Sequence, residues 1–338
     1  MIEFELPEDR IAQTPLADRA SSRLMVVGDG SSPIQHRIFR DLPSLLSPGD
    51  LIVMNDTRVS ARRLFGNKST GARVEALLLA SGGEPGTFIA LVRPGKRLPV
   101  GAKIQFEEDL LAEVIAVHED GRRTLRFSLE DLVKIDQAGE VPLPPYIHSK
   151  LSDPERYQTV YAQTSGSAAA PTAGLHFTPE LLAQLEAMGV QRATVTLDVG
   201  LDTFRPISAE RVEEHKMHGE RCTLSDRAAE QIMGCKGRII AIGTTSARTL
   251  ESFAEGERIL RPGQKTTEIF IRPGYAWQVV DGLITNFHMP RTTMLLMVGS
   301  ICGEPALQRA YDAALQEGYR FLSFGDSMFV TRPQKSSV

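Results

Sequence analysis

A chain of 338 residues has room for one large core, or for a large domain and a smaller one, and its 42% hydrophobic and 24% charged content excludes general disorder. A formal net charge of -4 excludes a uniformly basic nucleic-acid binder, so any contact with phosphate must come from a local patch. The three cysteines, Cys222, Cys235 and Cys302, are too far apart for a disulfide framework or a cysteine zinc site, and predict reduced, buried thiols.

The N-terminal Ile2-Glu3-Phe4-Glu5 is acidic where a secretory signal is basic. The longest apolar run, Met294 to Val298 with its neighbours, is far short of the ~20 residues that span a bilayer. Both features predict a cytoplasmic protein with no membrane contact. The turn Pro48-Gly49-Asp50 opens a strand at Leu51 to Met54 that ends in the polar Asn55-Asp56. The texture then changes. From about Arg62 to Pro145, short runs (Val74 to Leu79, Thr87 to Val92, Lys103 to Phe106, Val114 to His118, Thr124 to Phe127) alternate with Gly-rich turns, which predicts a small β-barrel or sandwich. Pro142, Pro144 and Pro145 close it, because they continue neither a ladder nor a helix.

Arg58, Arg62, Arg63, Lys68 and Arg73 cluster where this insertion begins, and are candidate RNA phosphate contacts. A solvated charged face is the ordinary alternative. The window from Arg58 to Arg126 holds 12 Lys or Arg against 8 Asp or Glu, a net of +4 in a chain of net -4.

After the insertion, strands and helices alternate. Thr178 caps a helix with Pro179 in its first turn and Gly189 at its end, Ala193 to Leu197 reads as a strand, and Ser225 caps a second helix. Arg238 to Ile242 is a strand that feeds a helix at Gly243. Glu304 to Glu317 has helical spacing, and Arg320 to Phe324 reads as a last strand. The alternation predicts an α/β fold: a large domain with a mostly parallel sheet, formed by 1–60 and 148–338, interrupted by an inserted β-barrel domain at 61–147.

Five segments carry chemistry. In Ala168 to Thr178, small residues admit a ligand to the backbone and Gly174 frees the chain beside His176, a candidate proton carrier, with Thr172 close by. A satisfied histidine in a tight loop is the alternative. Arg205, after the strand ending near Val199, can fork onto a carboxylate or phosphate, or form an ordinary ion pair. His215 and His218 lack the His-Glu-x-x-His pattern, and no metal site is predicted. Gly243-Thr244-Thr245-Ser246, with Arg248 beyond, suits an anionic or hydroxyl-bearing group at a helix start, although a capped helix would carry the same hydroxyls. It is no Gly-x-Gly-x-x-Gly fingerprint. Asn286 and His288 sit in an irregular stretch before Pro290, either facing a site or forming a capping turn.

Together these segments resemble the S-adenosylmethionine:tRNA ribosyltransferase-isomerases of the queuosine pathway over almost the whole chain. The resemblance rests on Leu6-Pro7 with Arg19 and Ser22, Asn55-Asp56-Thr57-Arg58-Val59, Tyr157-Gln158-Thr159-Val160-Tyr161, Ala169 to Thr178 and Thr203-Phe204-Arg205-Pro206. It continues through Gly243-Thr244-Thr245-Ser246, Phe270 to Tyr275, Thr285-Asn286-Phe287-His288 and Gly325-Asp326. The chain departs from the family pattern at Asp198, usually His, and at Asp202, usually Gly.

The resemblance implies a large α/β domain interrupted by a barrel and a reaction that needs no metal. The ribosyl moiety of S-adenosylmethionine, a co-substrate, passes to the aminomethyl group of a 7-deazaguanine at the tRNA wobble position. Adenine and methionine leave, and an epoxide-bearing cyclopentane remains. The partner is tRNA carrying that 7-aminomethyl-7-deazaguanine precursor, and a monomer is expected. On this reading His176 or His288 is the base or acid. Thr172, Gly174, Thr244, Thr245, Ser246 and Asn286 hold the co-substrate, and Arg205 and Arg248 receive a carboxylate or phosphate. Two rivals are an S-adenosylmethionine-dependent RNA methyltransferase and a non-catalytic RNA-binding protein.

Overall fold

The computed structural model describes residues 2–28, 33–107, 109–200, 217 and 219–332. These separate into two compact units, one of residues up to Thr57 with Pro144–Thr164 and Ala170 onward, the other of Arg58–Leu143 with Ser165–Ala169.

The first unit is built on a nine-stranded sheet. Its strands, in spatial order, are Gly263–Thr267, Glu220–Leu224, Gln191–Leu197, Leu51–Asn55, Ile239–Ile242, Gly282–Asn286, Ser327–Thr331, Arg23–Val27 and Gln35–Ile38. The run from Gln191–Leu197 through Gly282–Asn286 is parallel, as is Ser327–Thr331 against Arg23–Val27. The other four pairings are antiparallel. The sheet is therefore mixed, with a parallel centre, rather than mostly parallel as the alternation suggests. Leu51–Asn55, Ile239–Ile242 and Gly282–Asn286 are buried at every residue. Burial on both faces is why they read as continuous apolar runs.

The helices follow their capping signals. Thr178 Oγ1 accepts from Leu181 N at the start of Pro179–Ala187, and Ser225 Oγ accepts from Ala228 N at the start of Asp226–Gly234. Phe39, Leu42, Phe177, Leu181 and Leu185 pack with Ile52, Met54, Ile240 and Ile284 in one core cluster.

One expected strand is not a strand. At Arg320 to Phe324 only Phe321 bridges, to Ile11, and Leu322 then turns the chain at φ +69°. The Asp326 carboxylate fixes the turn by accepting from the Arg320 and Arg23 amides, both at 2.8 Å. The strand begins only at Ser327. A second buried carboxylate, Glu251, lies near the end of the helix Gly243–Phe253. It accepts from Tyr275 Oη and the amides of Gln278, Val279 and Val280, at 2.9–3.0 Å. Those amides lead directly into the strand Gly282–Asn286.

The second unit contains a closed six-stranded antiparallel barrel, ordered Arg123–Phe127, Thr87–Arg93, Arg73–Ser81, Arg62–Lys68, Lys103–Phe106 and Leu111–Val117, with the last pairing to the first. Val74, Ala76 and Leu78, Ala90 and Val92, Ile104 and Phe106, and Leu125 and Phe127 alternate into one core. That is the two-residue period of a strand with one buried face. The strand Arg62–Lys68, not foreseen, contributes Leu64 to this core, while its charged residues give it the look of a surface run. The short helix Leu132–Ala138 is also new.

Candidate active site

The four central parallel strands end on one side of the sheet, and the links that leave three of them, Gln191–Leu197, Ile239–Ile242 and Gly282–Asn286, contribute to the lining of an open cleft. Open α/β sheets hold ligands at this position because the backbone diverges there while strand ends stay rigid. Thr172, Thr244, Thr245, Asn286 and His288 all line it.

Gly243 starts the link after Ile239–Ile242 with φ +83°, a value glycine tolerates and other residues resist. The eleven-residue helix Gly243–Phe253 follows, and no side chain caps its N-terminus. Its hydroxyls turn inward instead: Ser246 Oγ donates to Ile242 O at 2.7 Å and Thr249 Oγ1 to Thr245 O at 2.9 Å. Thr245 Oγ1 is buried with no partner among the described residues. An uncapped helix start beside an orphaned hydroxyl favours an anionic or polar ligand group, since an unmet buried polar atom costs ~1–3 kcal/mol.

The opposite wall is a hydrogen-bonded chain. Thr172 Oγ1 donates to Asn286 Oδ1 at 3.0 Å, and Asn286 Nδ2 reaches His176 Nε2 at 3.3 Å. Because that nitrogen accepts, Nδ1–H of His176 donates to Ser22 Oγ at 2.8 Å. His176 also packs against Phe39, with ring centroids 5.0 Å apart. Burial, with added repulsion from Arg19 and Arg320, pushes its pKa down to about 3. His288 Nε2 pairs with Thr285 Oγ1 at 2.8 Å, and its backbone amide donates to Tyr311 Oη at 2.8 Å. Burial pushes the His288 pKa down to about 4. Both imidazoles are thus neutral at neutral pH.

The expected residues do not all meet. His176 lies behind Asn286, in the wall of a second, smaller cavity. Gly174 is buried where a Cβ would collide with Tyr161 Oη, so its role is close packing. Ser246 is spent on the backbone, as given above. Arg248 is buried in an ion pair with Glu220 away from the cleft lining, and its Nε and Nη2 have no partner among the described residues. Burial lowers its pKa to about 10. Arg205, His215 and His218 lie outside the described residues.

In the barrel unit, Arg62 pairs with Asp136 at 2.9 Å and Arg63 with Glu75 at 3.2 Å. The Lys68 ammonium donates to Arg97 O, and Arg73 is exposed. Among the described residues no group of three His, Cys, Asp or Glu side chains is arranged to hold a metal, and no helix is long and apolar enough to cross a membrane. All three cysteines are buried and unpaired.

Two cleft residues escape sequence reasoning. Tyr146 lies in the wall with its Oη 2.6 Å from Ser323 Oγ, and burial raises its pKa to about 12. Both come from irregular segments, one after the proline run and one in the Leu322 turn. Neither has a periodic signal.

An α/β sheet with a barrel inserted in its sequence, and a cleft of hydroxyls, an amide and neutral imidazoles at its strand ends, defines an enzyme-like scaffold for a small polar ligand. The chain belongs to the queuosine biosynthesis protein family, whose profile matches residues 1–330. It is 49% identical over 335 residues to the S-adenosylmethionine:tRNA ribosyltransferase-isomerase of Desulfitobacterium hafniense, covering 97% of this chain and 98% of that one. It is 48% identical over 334 residues to the protein of the same name from Clostridioides difficile, covering 97% and 98%. The crystal structure of an S-adenosylmethionine tRNA ribosyltransferase from Thermotoga maritima is also similar, with a TM-score of 0.54 and 35% identity over 97% of this chain and 98% of that one.

Proposed function

We propose that this protein transfers the ribosyl moiety of S-adenosylmethionine to the aminomethyl group of 7-aminomethyl-7-deazaguanine at the wobble position of tRNA and isomerises it, releasing adenine and methionine. The observation that carries this reading is the convergence of Thr172, Thr244, Thr245, Asn286 and His288 on one cleft at the strand ends.

The chemistry asks for a base near the ribose 5′ carbon, a polar hold on the rest of the co-substrate, and shelter from water. His288, neutral and buried in the cleft wall, takes the proton from the carbon beside the sulfonium, leaving an ylide. Loss of adenine and attack by the tRNA amine follow. The uncapped helix start at Gly243 to Thr245 receives the methionine carboxylate, and the orphaned Thr245 hydroxyl adds a hydrogen bond. Thr172 and Asn286 face the ribose hydroxyls. His176, through its contact with Asn286, is a positioning residue. The basic residues at the start of the barrel, Lys68 and Arg73 above all, supply phosphate contacts to the tRNA. Arg62 and Arg63 contribute less because carboxylates already engage them.

The test incubates the protein with S-adenosylmethionine and tRNA carrying the precursor base, and assays products. Stoichiometric adenine and methionine are expected. S-adenosylhomocysteine would reveal a methyltransferase, and absence of any turnover would leave only RNA binding; either result overturns the reading.

A further inference from the structure

Behind the wall formed by His176 and Asn286 lies a second, shallow pocket that is half open to solvent, lined by Arg19, Ser22, Arg156, His176 and Ser323 among others. Ser323 lines both cavities, so one residue's thickness separates them.

The cavity is cationic in a specific way. Arg19 donates to the carbonyls of Leu175 and Glu155, at 3.1 and 2.9 Å, and Arg156 donates to those of Ala17 and Leu16, at 2.9 and 2.5 Å. Each guanidinium is held by neutral backbone, so its orientation is fixed while its charge is kept. The two repel one another enough that, after burial itself, Arg156 is the next cause of the lowered Arg19 pKa. Arg320, tied to Thr14 O, adds a third guanidinium whose charge reaches His176. Arg156 Nε and Arg320 Nη1 are buried and have no acceptor among the described residues. Asp153 and Glu155 act on Arg19 in the opposite sense and temper the field. The Asp153 carboxylate accepts from the Glu155 amide, which keeps it occupied locally.

We infer that this cavity is an anion site that takes a phosphodiester of the RNA substrate, with Arg19 and Arg156 as its binding residues. The inference rests on the proposed function for the nature of that substrate. Pre-oriented guanidinium groups match a phosphate's paired oxygens, and fixing them beforehand removes most of the ordering cost. A carboxylate of the co-substrate is the other source of an anion. The first cleft already offers that carboxylate a helix N-terminus, and the His176–Asn286 wall stands between.

The experiment measures the dissociation constant for precursor tRNA over a series of KCl concentrations, in the wild type, Arg156→Gln, Arg19→Gln and Arg156→Lys, with S-adenosylmethionine binding measured separately by calorimetry. Each Gln variant is expected to bind tRNA about 5–10-fold more weakly and to lose about one unit of slope in log Kd against log salt, while Arg156→Lys keeps the slope. Co-substrate binding is expected to stay unchanged. Loss of co-substrate binding with the tRNA slope intact would assign the cavity to the carboxylate and overturn the inference, as would an unchanged slope with both ligands bound normally. Because these arginines also tie backbone segments together, a second measurement uses the wild type. The Nε–H NMR signals of Arg19 and Arg156 should shift on titration with inorganic phosphate more than with chloride at equal ionic strength, and identical responses would overturn the inference. S-adenosylmethionine binding by calorimetry and adenine release by the wild type test the proposed function, whereas the salt slopes of the arginine variants test this inference, so the two failures are told apart.

Discussion

The two units of the molecule use polar residues in opposite ways. In the barrel, apolar side chains alternate inward and most charged ones stand outside, where Arg62 and Arg63 find carboxylates; Arg123, buried and donating to Leu98 O, is the exception. Such pairs are screened and contribute ~0–1 kcal/mol each. In the α/β unit, Thr172, Asn286, His176 and Ser22 form a largely buried hydrogen-bonded chain, and Thr285, His288 and Tyr311 form another. There every missing partner is costly, because a buried polar atom cannot turn to water. The same residue types are therefore largely interchangeable on the barrel surface and individually placed around the cleft.

The largest expected effect tests that placement. His288→Ala should lower kcat for adenine release by about 10²–10⁴-fold, the range for removal of a positioned base, with tRNA affinity unchanged. A variant that keeps wild-type turnover would remove His288 from the mechanism. Next comes acid lability of the α/β unit. A folded pKa held near 3 or 4, against about 6.5 unfolded, means the unfolded state binds more protons in between. The stability these neutral imidazoles contribute is complete above pH ~6.5 and is lost as pH falls towards 4, by roughly 3 kcal/mol per histidine. Urea unfolding at a series of pH values should show this loss, and His176→Asn should flatten it. An unaltered pH dependence in that variant would mean His176 is not held neutral.

A smaller effect is expected at the orphaned hydroxyl. Thr245→Val should raise KM for S-adenosylmethionine about 5–10-fold, the cost of one hydrogen bond, with kcat little changed. A fall in kcat alone would give Thr245 a transition-state role instead. The smallest effects belong to the barrel surface. Lys68→Gln with Arg73→Gln should weaken tRNA binding only a few-fold and lower the salt slope by about two units. If that pair costs more than His288→Ala does in kcat/KM, the contrast between the units is wrong.

Much of this was legible in the residues, for identifiable reasons. Caps such as Thr178 and Ser225 are local, and the barrel strands carry a two-residue period broken only at a few positions such as Leu77 and Thr124, so both elements read directly from sequence. The strand Arg62–Lys68 was hidden because its arginines masked the inward Leu64. The Arg320 to Phe324 stretch looks extended by composition, but a long-range contact between Asp326 and Arg23 folds it into a turn. Sheet direction was half hidden for a similar reason: strand-helix alternation dictates the parallel centre, whereas the antiparallel pairing of Ser327–Thr331 with Gly282–Asn286 depends on that turn. At the site, the Thr and Asn residues of the cleft announce themselves by their links after strands. The inward hydroxyl of Ser246, the burial of Arg248 and the place of His176 behind Asn286 are matters of three-dimensional packing that no spacing encodes.

The Glu251 carboxylate has a mechanical consequence. It joins the far end of the helix that begins at Gly243 to the residues just before the strand that ends at Asn286. Two chain segments that each lend one wall to the cleft are thereby bolted together at their remote ends. Neither can slide along the other without breaking four hydrogen bonds, two of them, from Val279 and Val280, fully buried. The span between the Thr245 hydroxyl and the His288 imidazole is consequently a gauge held from about six residues away on one side and eight to ten on the other, against which a guest molecule must fit in length.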